Sequence, residues 1–232
     1  MADLVYPPVL LVGHAAFAAL GLKARVHGGE HLPRDGGAVL ASNHVSYLDF
    51  IFAGYAARPS GRLVRFMAKD SVFRHRVAGP IMRSMKHIPV DREAGSASFS
   101  HAVAALADGE VVGVFPEATM SRSFEPKAFK TGAVRMADEA GVPLVPMALW
   151  GTQRLWCYDT RSSMRQYGVP VEIFVGAPID ASGDPEQATA RLRESVIDLV
   201  AQAQANYPDD GAGQWWQATS LGGTAPAPGP DD

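Results

Sequence analysis

The residues best placed to do chemistry are Asn43-His44-Val45-Ser46-Tyr47-Leu48-Asp49, where a histidine precedes an aspartate by five positions. On a regular helix that spacing puts the two side chains on different faces. With His44 in a loop and Asp49 in the first turns of the helix that follows, the carboxylate swings back to the imidazole. Such a pair makes one ring nitrogen a fixed donor and the other a base. The same short pattern also fits a capped helix, with Asn43 or Ser46 as the cap and His44 merely hydrogen-bonded. A second segment, Pro116-Glu117-Ala118-Thr119-Met120-Ser121-Arg122, gathers an acid, two hydroxyls and an arginine, a side chain that binds phosphate bidentately and never loses its charge. Between them lies Lys86-His87-Ile88-Pro89-Val90-Asp91-Arg92. There His87 and Asp91 imitate a second pair, but Pro89 argues for an extended piece and a coincidence.

These segments need elements to hold them. Apolar runs at Gly36–Ser42 and Val111–Phe115 predict buried strands, with further strands at Leu63–Ala68, Leu144–Trp150 and Val171–Val175, a short one at Leu22–Gly28 and an extended piece at Ile88–Asp91. Helices are predicted at Leu48–Ala57, at Val72–Met85 with an interruption at Pro80, at Ser96–Ala107 closed by Gly109, at Thr131–Ala140 closed by Gly141, and at Pro185–Ala205. Apolar strands alternating with helices predict an α/β fold in one domain, its mostly parallel sheet covered by helices on both faces. In such sheets the site lies at the carboxyl ends of the strands. The segments around His44 and Glu117 both follow strands.

Composition narrows the partners. Of 232 residues, 47% are hydrophobic, enough for a sizeable core, and the formal net charge is -3 with no basic block, which argues against nucleic acid. The single cysteine, Cys157, rules out an internal disulfide and a multi-cysteine metal cluster. Residues 1–22 carry Asp3 as their one formal charge, and Pro7 and Pro8 are expected to break the segment, leaving an apolar run at Val9–Leu22. That is shorter than the roughly 20 residues of a spanning helix, and it fits a core-packed helix or an in-plane membrane helix. The expected organisation is a membrane-associating helix at 1–22, a catalytic domain at 23–206 and a disordered Gly/Pro-rich tail at 207–232. Trp215 and Trp216 are the exception within that tail, paired aromatics suited to docking on the body or sitting at a membrane interface.

Taken together, the three segments resemble the glycerolipid acyltransferase family, of which 1-acylglycerol-3-phosphate acyltransferases are members. Its first block, Asn-His-x-x-x-x-Asp, is matched by Asn43, His44 and Asp49, with Ser46 at its usual serine. Its second block ends in a phosphate-binding arginine, matched by Val90-Asp91-Arg92. Its third, Phe-Pro-Glu-Gly-Thr-Arg-Ser, is matched by Phe115, Pro116, Glu117 and Thr119, and Lys130 and Gly132 fit the Lys-x-Gly that follows. Its fourth is matched by Val145-Pro146-Met147-Ala148-Leu149. Ala118 replaces the glycine and Met120 the arginine of block three, which makes Arg122 the natural substitute.

The resemblance implies acyl transfer from acyl-CoA or acyl-ACP, the co-substrate, to the hydroxyl of a lysophospholipid, with no metal or other cofactor and no covalent intermediate. His44 oriented by Asp49 is the implied base. Asn43, Ser46, Arg92, Glu117, Thr119, Arg122, Lys130 and Pro146 are the implied substrate contacts. Backbone N–H groups after His44 or near Pro146 are candidates for the oxyanion. The implied partners are the lysolipid, acyl-CoA or acyl carrier protein, and a membrane surface at the cytoplasmic face of the cell membrane. Rival readings are a serine hydrolase using Ser46, a metal phosphoesterase using His44, Asp49, Asp91 and Glu117, and a non-catalytic lipid-binding module.

Overall fold

The computed structural model describes residues 5–91, 95–159 and 161–229. Seven strands form one sheet: β1 (Lys23–His27), β2 (Ala38–Ser42), β3 (Val64–Lys69), β4 (Ile88–Val90), β5 (Val111–Val114), β6 (Leu144–Trp150) and β7 (Pro170–Val175). Their order is β1-β7-β6-β2-β5-β3-β4, and every pairing is parallel except β6 with β7. Around them pack α1 (Tyr6–Ala19), α2 (Asp49–Ala56), α3 (Asp70–Arg74), α4 (Ala78–Ser84), α5 (Gly95–Ala107), α6 (Gly132–Ala140) and α7 (Pro185–Ala205). The expected α/β sheet with an N-terminal helix is the fold observed.

The two faces of the sheet carry separate cores. On β2, Val39 and Ala41 face the core with α5, α6 and α7, joining Leu106, Val134 and Leu192. Ala38 and Leu40 face the opposite core with Phe52 of α2 and Val145 and Ile173 of the neighbouring strands. Every residue of β2, β5 and β6 is buried. Burying each large aliphatic side chain here stabilises the fold by about 1.5–3 kcal/mol, so the strands that carry the site are the least yielding part of the molecule.

Three local expectations change. Pro7 and Pro8 occupy the first helical turn of α1 rather than breaking it. Proline is tolerated there because its missing N–H has no intrahelical acceptor. The predicted helix at Val72–Met85 is split into α3 and α4, but the break falls at residues 75–77 and Pro80 sits in the first turn of α4. Of the stretch read as a disordered tail, residues 207–229 are described, and Trp216, Ala218 and Ala225 are buried. Trp216 takes the first of the two places expected for the paired aromatics, and its apolar area helps offset the ordering of the glycines around it. Among the described residues no helix is long and apolar enough to cross a membrane.

Candidate active site

The loops leaving the carboxyl ends of β2, β5 and β6 meet at His44. The sheet lets go of the chain at Asn43, whose amide takes over the ladder: Nδ2 donates to Leu149 O at 3.0 Å and Oδ1 accepts from Leu149 N at 2.8 Å. The backbone is thereby free to turn, and Asp49 opens α2 with its side chain facing back. His44 Nδ1 lies 2.9 Å from Asp49 Oδ2. That oxygen also accepts the N–H groups of Val45 and Ser46, both at 2.7 Å, while Oδ1 accepts the Thr152 hydroxyl at 2.6 Å. An oxygen already taking two N–H bonds acts as the acceptor, so Nδ1 carries the imidazole proton and Nε2 is left basic. Asp49 is 0% and the His44 side chain 22% exposed, which makes the first a fixed orienting group and the second accessible.

The imidazole is held from its face as well. It stacks on Phe115 at 4.3 Å between ring centres, with 18° between planes. Phe115 stacks on Phe66, and Phe66 meets the edge of Phe50.

Glu117 ties the loop after β5 to this assembly. It is buried, and its two oxygens accept the N–H groups of His44 (2.9 Å) and Lys127 (3.4 Å). Burial pushes its pKa up to about 8, against the pull of those two N–H bonds. Ser121 N–H closes the ring of contacts by donating to His44 O at 2.8 Å. Ala118 stands in this loop at φ 62°, the left-handed region in which glycine is at ease and an L side chain costs about 1–2 kcal/mol. Met120 points into the core and is buried, so the position where the resemblance places an arginine carries no charge at the surface. Arg122 is exposed and lies over the Tyr158 ring at 5.1 Å. Lys127 donates to Thr119 Oγ1 at 2.6 Å.

The loop after β6 completes the site. Besides Thr152 it supplies Trp156 O, which accepts both the Ser46 hydroxyl (2.7 Å) and Tyr47 N–H (3.0 Å). This loop is braced in turn by the C-terminal segment: Gln153 donates to Trp216 O, and the Arg154 and Arg161 guanidinium groups lie over Trp216 and Trp215.

The profile of the Acyltransferase family matches residues 23–150, the stretch from β1 through β6 and more than half of the 232 residues. The chain belongs to the acyltransferase family. Among relatives, the 1-acyl-sn-glycerol-3-phosphate acyltransferase of Bacillus subtilis (strain 168) is 36% identical over 128 residues, 55% of this chain and 62% of that one. The protein of the same name from Borreliella burgdorferi is 26% identical over 185 residues, 76% of this chain and 71% of that one. The chain thus spans less than two thirds of the length of the Bacillus relative. The crystal structure of the 1-acyl-sn-glycerophosphate (LPA) acyltransferase PlsC from Thermotoga maritima shares the fold at a TM-score of 0.73 and 24% identity, over 88% of this chain and 81% of that one.

Set against this acyltransferase architecture, the expected site residues divide. His44, Asp49, Glu117, Thr119 and Arg122 converge on one end of the sheet. Lys130 joins the same loop through its N–H, which donates to Pro116 O. Asn43, Ser46 and Pro146 are buried: the first two use their side chains on backbone partners, and Pro146 lies within β6. They position the site rather than face a substrate. Glu117, expected among the substrate contacts, braces two loops through its carboxylate oxygens. Arg92 lies outside the described residues. The N–H groups of Val45 and Ser46, candidates for an oxyanion, are consumed by Asp49. Thr152 and Trp156 escaped the sequence reading, because each acts on a partner about a hundred or more positions away, and the stacking of Phe115, known there only as a block residue, leaves no local pattern either.

Proposed function

We propose that the chain transfers a fatty acyl group from acyl-CoA or acyl-ACP to the free hydroxyl of 1-acylglycerol-3-phosphate (lysophosphatidic acid), giving phosphatidic acid. The observation that carries this reading is the His44–Asp49 pair fixed by four hydrogen bonds at the end of β2, in a chain of the acyltransferase family. The names of the Bacillus and Borreliella relatives support the choice of acceptor.

His44 Nε2 takes the proton of the acceptor hydroxyl as its oxygen attacks the thioester carbonyl. The tetrahedral intermediate collapses with loss of the thiolate, which recovers the proton from the imidazolium. Asp49 holds the tautomer and offsets the charge that forms on the ring. Base catalysis of this kind contributes roughly 10²–10⁴-fold. The thiolate is a good leaving group, so no covalent intermediate and no metal is invoked. Ser46 is unsuited to be a nucleophile, since its hydroxyl is 0% exposed and donated to Trp156 O. Arg122, with Lys127, Lys130 and Arg92, is assigned to the lysolipid phosphate.

The reaction is placed at the cytoplasmic face of the cell membrane, with the protein peripheral or monotopic. Apolar side chains exposed on α1 (Leu11 70%, Val12 69%) and just before α4 (Val77 68%) support that placement.

Purified protein given acyl-CoA and a panel of lysophospholipids, with products read by mass spectrometry, tests the reading. Lysophosphatidic acid should be consumed preferentially. His44→Ala should lose at least two orders of magnitude in kcat. Arg122→Ala should raise the KM for the acceptor roughly ten- to a hundredfold and leave that for the donor unchanged. A His44→Ala protein that keeps more than about a tenth of the rate would overturn the base assignment.

A further inference from the structure

Between α1, α2 and α4 lies a cavity of about 360 Å³ whose walls are almost wholly apolar, among them Leu10, Phe17, Ile51, Met82 and Met85. Phe50 also lines it and connects through Phe66 and Phe115 to the His44 ring, so the cavity and the base share one continuous wall of aromatic rings. Tyr6, His14, Tyr55 and His87 also line it, and His87 is the one of these with a buried polar atom left unbonded among the described residues. His87 is 5% exposed, accepts Phe66 N–H at Nδ1 (3.0 Å), and among the described residues has no partner for Nε2.

The bond from Phe66 settles the tautomer. Nδ1 is the acceptor, so in the neutral ring Nε2 carries the proton. The ring is neutral at physiological pH, because burial and then the nearby Arg65 guanidinium lower its pKa to about 4. Tyr6, whose hydroxyl is donated to Val64 O, and Phe66 flank the ring without offering the N–H an oxygen. A buried N–H with nothing to bond to is costly, and few native structures keep one. An all-hydrocarbon ligand would leave that cost in place, whereas a ligand oxygen would remove it.

We propose that this cavity receives a lipid chain bearing a hydrogen-bond acceptor along its length, a hydroxyl, ether or keto oxygen, which His87 Nε2–H binds. This rests on the reading of the chain as a lipid acyltransferase and adds the class of chain it selects. The oxygenated chain has two sources, the acyl group of the donor thioester or the chain already on the lysolipid.

Two assay arms separate the sources. In one, donors of a single chain length carry a hydroxyl at the β, mid-chain or terminal carbon, or none, and the lysolipid is plain. In the other, the donor is plain and the lysolipid chain carries the hydroxyl. In one arm and at one hydroxyl position, kcat/KM should exceed that of the plain chain roughly three- to tenfold, the worth of one neutral hydrogen bond. His87→Phe should abolish the preference, and His87→Gln, which keeps both a donor and an acceptor, should retain part of it.

Equal use of plain and hydroxylated chains at every position in both arms overturns the proposal. So does a preference that persists in a folded His87→Phe protein. Should His87→Phe not fold by circular dichroism, the wild-type ratio and His87→Gln decide. If no thioester is turned over with any lysolipid, the acyltransferase reading has failed. Displacement of a fluorescent fatty-acid probe by plain against hydroxylated fatty acids then decides the cavity's preference by the same ratio.

Discussion

Asp49 takes four hydrogen bonds while wholly buried, and Thr152 supplies the one that comes from furthest along the chain, 103 residues away. Its hydroxyl partly satisfies the carboxylate charge. In Thr152→Val that bond is lost and the carboxylate is held less firmly behind the imidazole. kcat should therefore fall several-fold, with the KM values of both substrates little changed. Stability should fall by about 1–3 kcal/mol for the unpaired buried oxygen, and Thr152→Ser should restore both. A Thr152→Val protein with wild-type kcat would leave Thr152 a packing residue only.

Glu117 makes a second residue-scale prediction. Its folded pKa, about 8, is raised above the ordinary 4.5. A raised pKa contributes stability that is fully present below the unfolded value and is lost as pH climbs through the folded one. The melting temperature should thus decline between about pH 5 and pH 8, and Glu117→Gln should flatten that decline. A slope unchanged in the variant would show that Glu117 is already ionised over this range. The pairing of His44 with Asp49 was legible in the sequence because the partners lie five positions apart, between the end of β2 and the start of α2. The brace by Glu117 was not, since its two partners are a backbone N–H of another loop and one ten residues on in its own.

At the scale of elements, the ends of β2, β5 and β6 each contribute a loop, and the apolar runs that predicted those strands also predicted where the loops begin. What the pattern could not supply was the role of the loop after β6, which lies beyond the matched family stretch and is anchored by residues after α7. Trp216 is 2% exposed and packs on Tyr207 and under Arg154. Trp216→Ala should cost about 3–5 kcal/mol, as large-to-small changes in cores do, read as a lower denaturation midpoint in urea. A midpoint within error of wild type would mean that the segment holds nothing in place. The helix boundaries erred where proline was read as a breaker irrespective of position. At the first turn of α1 and of α4 it is compatible with a helix, and only the observed start of each element reveals that.

At the scale of the whole molecule, α1 exposes apolar side chains next to the body it packs on. Phe17 of α1 stacks on Phe52 at 4.6 Å and Tyr6 is buried, so α1 is fastened to the body on one side while Leu11 faces out on the other. A deletion of α1 would expose the core, whereas a charge placed on its outer face would not. Leu11→Glu should therefore keep the wild-type melting temperature and lose co-sedimentation with liposomes about tenfold, given about 1.5–3 kcal/mol for a large aliphatic side chain withdrawn from lipid. The loss should vary little with salt, because α1 carries no lysine or arginine. Undiminished sedimentation would mean that α1 is not what holds the protein to liposomes.

The sheet order has a consequence in time. β1 pairs with β7 alone, and Arg25 meets Glu172 across 147 residues of chain. Contacts of such separation form late, since the loop between them must be closed before any reward is felt. During synthesis, then, the first strand waits with an open edge until nearly the whole domain has emerged. The apolar helix ahead of it waits too, beside a sheet that has yet to close. An α1 drawn early to a bilayer would hold β1 at the surface while the rest of the domain assembles above it. Membrane binding and completion of the sheet would then be consecutive steps of one process.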